Sequence, residues 1–302
     1  MRPLGMAKLR WAAAQLVNPR LVRWNLEAKN VPRPTVSSKA TFLCAQTAAL
    51  LKMVLATDLL LQLGIRLFWT PPAARPGARF AVSDSKYLSI RDPDLGWGFA
   101  KTLVFACGPY FFMSMQYVAV SLIAVALQLS QPIDFPPLFG NVADATTVRA
   151  FWGQFWHQSI RRSVTTLAYL AIDALHIARG TTLASYAHVW LAFFISGFMH
   201  AQSMALLPRP PNITLHEATA GMLYFFLWQA FAITAEDFVI WLWKTSGLSI
   251  NPAPWNSVLG YVWVIFSMWI SIPWAADVMM RLRLTEESFL GFTVFGRWIN
   301  HQ

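Results

Sequence analysis

The chain carries six histidines, and two stand where an imidazole is out of place unless it has work to do. His200 closes the apolar run Val189-Trp-Leu-Ala-Phe-Phe-Ile-Ser-Gly-Phe-Met-His200. An ionisable group in a hydrocarbon-length segment costs on the order of a few kcal/mol unless it faces a polar cavity, which makes His200 a functional candidate. His157 lies in Phe151-Trp-Gly-Gln-Phe-Trp-His-Gln-Ser-Ile-Arg-Arg162, crowded by Phe151, Trp152, Phe155 and Trp156 and followed by two arginines. Two imidazoles in such settings point to proton transfer carried out within a membrane.

At helical spacing His200 shares a face with Phe193, Ser196, Gly197, Ser203 and Met204. The small members let another group come close to the ring. Small residues also serve plain helix packing in membranes, so the face leaves both readings open. Read as one helix, residues 148–162 put Phe151, Trp152, Phe155, Trp156 and Ser159 on one side. Gln154, His157, Gln158 and Arg161 fall on the other, which predicts an amphipathic helix lying in the membrane interface. The bland alternative is that the aromatics anchor this helix and His157 is merely solvated. Asp173 and His176 are spaced to pair on one helical face, and His188 and His301 read as interfacial or terminal. His216-Glu217 lacks the second histidine of a zinc-binding helix. No His/Cys/carboxylate cluster has metal-ligand spacing, and no G-x-S-x-G, Walker or dinucleotide glycine pattern occurs. No metal and no bound cofactor is expected.

The elements that position these residues are membrane spans. Hydrophobic residues make up 56% of the chain and charged residues 13%, a composition outside the soluble globular range. Apolar runs of at least the roughly 20 residues a crossing needs occur at about 41–68, 98–129, 184–207, 219–243 and 258–280. The expected architecture is therefore an all-α integral membrane protein, a multi-span helical bundle of about five or six spans with interfacial and re-entrant helices. Residues 163–178 are short for a crossing and are expected as a re-entrant or tilted helix packed inside the protein. Gly108-Pro109 predicts a kink or break. Lys52, Asp58, Lys101, Glu236 and Asp237 fall within spans and predict a polar cavity between helices. Trp69, Trp97, Trp241, Trp243, Trp255 and Trp274 stand near span ends, where an amphipathic ring favours the headgroup layer. Cys44 and Cys107 read as buried thiols. Pro71-Pro72 and Asn251-Pro-Ala-Pro254 mark connectors.

The net charge is +10, and it is uneven. Residues 1–40 carry Arg2, Lys8, Arg10, Arg20, Arg23, Lys29, Arg33 and Lys39 against Glu27 alone. Nucleic acid is excluded as a partner in favour of anionic membrane lipid, because most of the remaining chain is membrane-embedded. Residues 1–40 thus form a basic cytosolic or interfacial segment, and 41–302 a membrane-embedded domain. The start carries no signal-peptide pattern, so the first apolar span is expected to insert uncleaved. Basic residues favour the side that holds the N-terminus, placing it in the cytosol and mildly preferring six crossings.

The block Pro136-Pro-Leu-Phe-Gly140, then Phe151-Trp-Gly-Gln-Phe-Trp-His-Gln158, then Ser196-Gly-Phe-Met-His200 resembles the wax-synthase-like branch of the membrane-bound O-acyltransferases. It is most similar to the fungal members that acetylate hydroxyls of terpenoids and meroterpenoids. Trp24-Asn-Leu-Glu-Ala-Lys-Asn-Val-Pro32 is similar to a segment those relatives carry ahead of the core. The motif core is 136–207, and the chain departs from the pattern where relatives place apolar spans before the basic segment. The resemblance implies an endoplasmic-reticulum enzyme that takes acetyl-CoA as co-substrate and a hydrophobic alcohol as acceptor. It makes His200 the general base and aligns His157 with a position that is asparagine in plant members. The candidate substrate and coenzyme A contacts are Trp152, Trp156, Ser196 and Gly197, with Arg161, Arg162 and Arg149 placed at the cytosolic mouth to meet coenzyme A phosphates or, alternatively, lipid phosphates. A long-chain wax-ester synthase is the nearest alternative. A transporter or inactive scaffold is the alternative of another class. Neither the acceptor nor the oligomeric state is specified by these residues.

Overall fold

The computed structural model describes residues 5–16, 18–34, 38–69, 79–246 and 254–300. Pro71, Pro72, Asn251, Pro252 and His301 lie outside them, as does the side chain of Trp255. Among the described residues every regular element is helical. α1 is Met6–Leu16, α2 Lys39–Trp69 and α3 Leu95–Ala126. After 3₁₀ turns come α4 (Val148–Ala150), a π-helical turn at Phe151–Phe155, and α5 (Arg161–Ala174). α6 (Thr182–Ala205), α7 (Leu215–Thr245), α8 (Pro254–Arg281) and the short α9 (Gly296–Asn300) complete the order.

Five helices, α2, α3, α6, α7 and most of α8, are long and apolar enough to cross a membrane, matching the five expected runs to within a few residues. Their ends are built from caps. Asp94 accepts from Trp97 N ahead of α3, and Thr181 accepts from Ala184 N ahead of α6. Thr214 and Glu217 form a reciprocal capping box at the start of α7, which satisfies amides that helix geometry leaves open. α3 runs unbroken through Gly108 and Pro109. Proline removes a single backbone bond, and neighbouring turns absorb the loss within a packed membrane helix.

The helices pack as an α2–α3 pair and an α6–α7–α8 group, with α5 against α6 and α3 meeting α8. Phe68, Trp69, Leu88, Ile90, Ile272, Ala276 and Met280 form the core between the two groups. Contacts between connectors sort them onto two faces. On one, Asn212 Nδ2 donates to Ser83 O and Arg283 Nη2 donates to Phe80 O. On the other, Asn30 Nδ2 donates to Gly153 O, Arg23 pairs with Asp134, and Arg149 pairs with Asp237. Among the described residues five helices are long enough to cross, not the six that the charge count mildly preferred, because α5 is too short to span.

Two expectations about the short segments exchange places. α5 has 14 residues, about 21 Å of helix against the roughly 30 Å of a hydrocarbon core. It buries one stripe, Val164, Ala168 and Ile172, and leaves Leu167, Tyr169 and Leu170 exposed, so it lies on the bundle and not inside it. Residues 148–160 are the ones that re-enter. Val148 N donates to Glu236, and Trp152 Nε1 donates to Gln229, about 10 Å further along α7 and near its middle.

The acids within the spans do not line a shared cavity. Asp237 pairs with Arg149, and the others cap a neighbouring segment. Asp58 accepts from Val294 N and Phe295 N, Glu236 from Val148 N and Trp263 Nε1, and Asp277 from Ile90 N and Ser89 Oγ. Lys101 pairs with Asp92 at 2.7 Å, and Lys52 lies exposed on α2. A carboxylate accepting backbone amides is satisfied where an isolated charge would not be. Asp173 pairs with Arg179, not with His176, which follows the end of α5 at φ 54°. Trp97, Trp241 and Trp243 are exposed as the belt reading requires, but Trp69 is fully buried and Trp274 packs on Trp228. Cys44 is exposed, since only one face of α2 meets α3, and Cys107 is half-buried.

Candidate active site

Residues 148–162 do not form one helix. α4 gives way to the π-helical turn, and Trp156 then adopts extended backbone with ψ 148°. The faces expected from a continuous helix are therefore lost: Gln158 is buried, while Gln154 is exposed. Side chains take over the freed carbonyls. Gln158 Nε2 donates to Trp152 O at 3.1 Å and to Trp156 O. Arg161 Nη1 donates to Gly153 O at 2.7 Å and to Gln158 Oε1 at 2.8 Å. Asn30 reaches the same Gly153 carbonyl. Gly140 N donates to Phe155 O at 2.8 Å, and a Cβ on Gly140 would sit 2.2 Å from Gln154 O. Only glycine lets the 136–140 segment lie this close to the turn.

The break swings His157 into an aromatic enclosure. Its ring lies 5.5 Å from Trp156 and 6.0 Å from Phe139. Burial, then the charge of His200, then that of Arg20 push its imidazole down to about 4. It is neutral at physiological pH, and its buried Nδ1 has no protein partner among the described residues.

His200 is positioned by α6 itself. Its Nδ1 lies 2.7 Å from the Ser196 carbonyl one turn back. A carbonyl can only accept, so Nδ1 carries a proton, and in the neutral ring Nε2 keeps its lone pair. Phe226 of α7 lies 4.6 Å from the ring. Gly197 makes this approach possible, since a Cβ there would meet Phe226 Cβ at 3.0 Å. Ser196 and Gly197 thus face the protein, and Ser203 of the same expected face is exposed. Trp152 packs against Phe193 and Phe226, linking the turn to α6 and α7. His200 offers a proton acceptor and His157 a neutral donor. Together they can take a proton from a hydroxyl and support a developing oxyanion.

The three arginines separate. Arg149 is committed to Asp237, and Arg161 braces the turn. Arg162 is half-buried, with no side-chain partner among the described residues.

Three further residues belong to the site. Gln229, fully buried, joins Trp152 to Ser271 of α8; a lone glutamine in an apolar span was the available signal. Arg20 is 2% exposed and, with Tyr117, holds the Pro136 carbonyl. In the sequence Arg20 is one of eight basic residues in its segment, and nothing sets it apart.

Residues 38–126 match the family model of the Aspirochlorine biosynthesis protein F C-terminal domain, and residues 135–228 match the Membrane bound O-acyl transferase family. Both histidines fall in the second match. Aspirochlorine biosynthesis protein F of Aspergillus oryzae is 42% identical over 129 residues, 42% of this chain and 49% of that protein. Acetyltransferase eriL of Hericium erinaceus is 30% identical over 283 residues, 92% of this chain and 68% of its own length. An acetyltransferase of Rhodocybe pseudopiperita is 30% identical over 298 residues, 97% of this chain and 68% of its own length. The chain thus spans 49% to 68% of the length of these relatives. No solved structure matches.

Proposed function

The chain belongs to the membrane-bound O-acyltransferase family, and from that premise we propose that it transfers an acetyl group from acetyl-CoA to a hydroxyl of a hydrophobic polycyclic alcohol. The acceptor class is terpenoid or meroterpenoid, in the manner of the wax-synthase-like branch, and the setting is fungal secondary metabolism. His200 Nε2 takes the hydroxyl proton as the oxygen attacks the thioester carbonyl. His157, neutral, donates a hydrogen bond to the oxyanion that forms. Collapse of that intermediate breaks the carbon–sulfur bond, and the proton leaves His200 for the coenzyme A thiolate. The observation that carries this reading is the His200–Ser196 hydrogen bond, which in the neutral ring leaves Nε2 free to act as a base.

Trp152 and Trp156 wall the acceptor. Ser196 and Gly197 act through His200, one by fixing its tautomer and the other by admitting Phe226. Arg162 meets the phosphates of coenzyme A, while Arg149 and Arg161 shape the mouth. These arginines lie on the face that carries residues 18–34. Coenzyme A phosphates do not cross a bilayer core, which supports a cytosolic position for that face and for the basic N-terminus in the endoplasmic reticulum.

The test is incorporation of label from acetyl-CoA and, separately, palmitoyl-CoA in microsomes holding the protein, with terpenoid alcohols and a fatty alcohol as acceptors. Acetyl transfer to the polycyclic alcohols is the expected result. Palmitoyl transfer to the fatty alcohol alone would make the protein a wax-ester synthase, and transfer of neither would overturn the reading.

A further inference from the structure

Arg20 sits outside the spans, in the basic segment, yet it is 2% exposed. Its guanidinium donates to Pro137 O at 2.7 Å, Pro136 O at 2.8 Å and Tyr117 Oη at 2.5 Å. It also stacks over the Tyr117 ring with its carbon 5.1 Å from the centroid. Tyr117 Oη in turn donates to Pro136 O at 2.6 Å. Proline has no amide proton, so the Pro136-Pro137 pair cannot be anchored through its own N–H groups and depends on donors to its carbonyls. Two and three residues on, Phe139 packs its ring against Trp156 and His157, and Gly140 is bonded to Phe155.

We propose that Arg20 is a positioning residue of the active site: its planar fork, seated on Tyr117, locks the 136–140 segment across the turn that presents His157. The basic segment is thereby part of the site's scaffold, and Arg20 is withdrawn from the membrane-binding charge. Two nitrogens of one plane reach three acceptors while that plane lies over Tyr117, which the single nitrogen of an ammonium does not reproduce. The charge of Arg20 adds, after burial and His200, to what disfavours a proton on His157, and burial lowers the basicity of Arg20 itself.

The inference rests on the acyl-transfer reading for its kinetic effect but not for its structural one, so two readouts are needed. In full-length protein in membranes, the rate at which diethylpyrocarbonate modifies His157 is followed by mass spectrometry, alongside acetyl transfer. Arg20→Lys is expected to raise the modification rate at least about threefold. It is also expected to lower kcat at least about tenfold with both KM values within about twofold of wild type. Tyr117→Phe is expected to act in the same direction and more weakly, and it decides the question if Arg20→Lys does not accumulate in the membrane. Wild-type His157 protection in a variant inserted at wild-type abundance overturns the proposal. Loss of protection in a protein whose wild type transfers no acetyl group sinks the functional reading and leaves the positioning role standing.

Discussion

His200 takes its place from its own helix, whereas His157 takes its place from segments scattered along the chain. The first is fixed by a carbonyl four residues back and by a glycine that brings α7 close. The second depends on Asn30, Gly140, Gln158 and Arg161 holding a turn that would otherwise wind on as helix. Helical positioning tolerates local change because each turn repeats the same bonds. A cross-braced turn has no such redundancy, so substitutions distant in sequence converge on one imidazole.

The comparison breaks most visibly at the base. His200→Ala should lower kcat/KM for acetyl transfer by about 10²–10⁴-fold with insertion intact; a variant that keeps more than about a tenth of the wild-type rate removes His200 from the mechanism. The bracing claim is sharpened by two glycines. Gly140→Ala must shift the turn by an ångström, since its Cβ would lie 2.2 Å from Gln154 O, whereas a Cβ on Gly153 meets nothing within 4 Å. Gly140→Ala should cost about 10²-fold in kcat and Gly153→Ala little; equal losses would show that the turn is not held from the 136–140 side.

For His157, a donor role predicts that Asn serves where Leu does not. His157→Asn should keep measurable turnover and His157→Leu should fall about a hundredfold. Equal loss would mean that a titrating imidazole is required. Neighbouring arginines draw the same contrast at smaller scale. Arg162→Glu should raise the KM for acetyl-CoA several-fold, roughly what loss of a charge-assisted contact produces, and less so at high salt. Arg161→Gln should act on kcat, through the turn. An unchanged acetyl-CoA KM in Arg162→Glu assigns the phosphates elsewhere.

The smallest effect is in stability. The His157 pKa is about 4 in the fold against an ordinary 6.5, so between these values the unfolded chain binds more protons. Stability from this group is full above pH 6.5 and is lost as pH falls toward 4. On moving from pH 7 to pH 5, wild type should therefore lose about 2–4 °C more in thermal midpoint than His157→Asn. Identical pH responses would place His157 in a solvated setting.

The same contrast governs what the sequence reveals. The spans were legible because length and apolarity are local properties, and the inward side of Ser196 and Gly197 followed from helical period once α6 was assigned, though Ser203 of the same expected face is exposed. The break at Trp156 was not. Phe151-Trp-Gly-Gln-Phe-Trp156 contains no proline, and the groups that stop the helix lie at Asn30, Gly140 and Gln158. Arg20 is hidden for a related reason: a basic residue among basic residues reads as surface charge until the fold buries it. The acids within the spans misled in the other direction, since a carboxylate capping a backbone amide and one lining a cavity look alike in a hydropathy pattern.

One of those acids bears on how the protein is made. Asp58 lies in α2, and the amides that satisfy it belong to Val294 and Phe295, more than two hundred residues later in synthesis. Until the ribosome has delivered them, α2 must be held in lipid or by the insertion machinery with an uncapped carboxyl group, a burden of about 2.5–3.5 kcal/mol for an aspartate at the centre of a span. Docking of residues 293–296 is thus a late event in biogenesis that removes a defect in an early helix. A chain in which residues 293–296 have not docked therefore holds an Asp58 carboxyl without the two backbone donors it has in the folded protein.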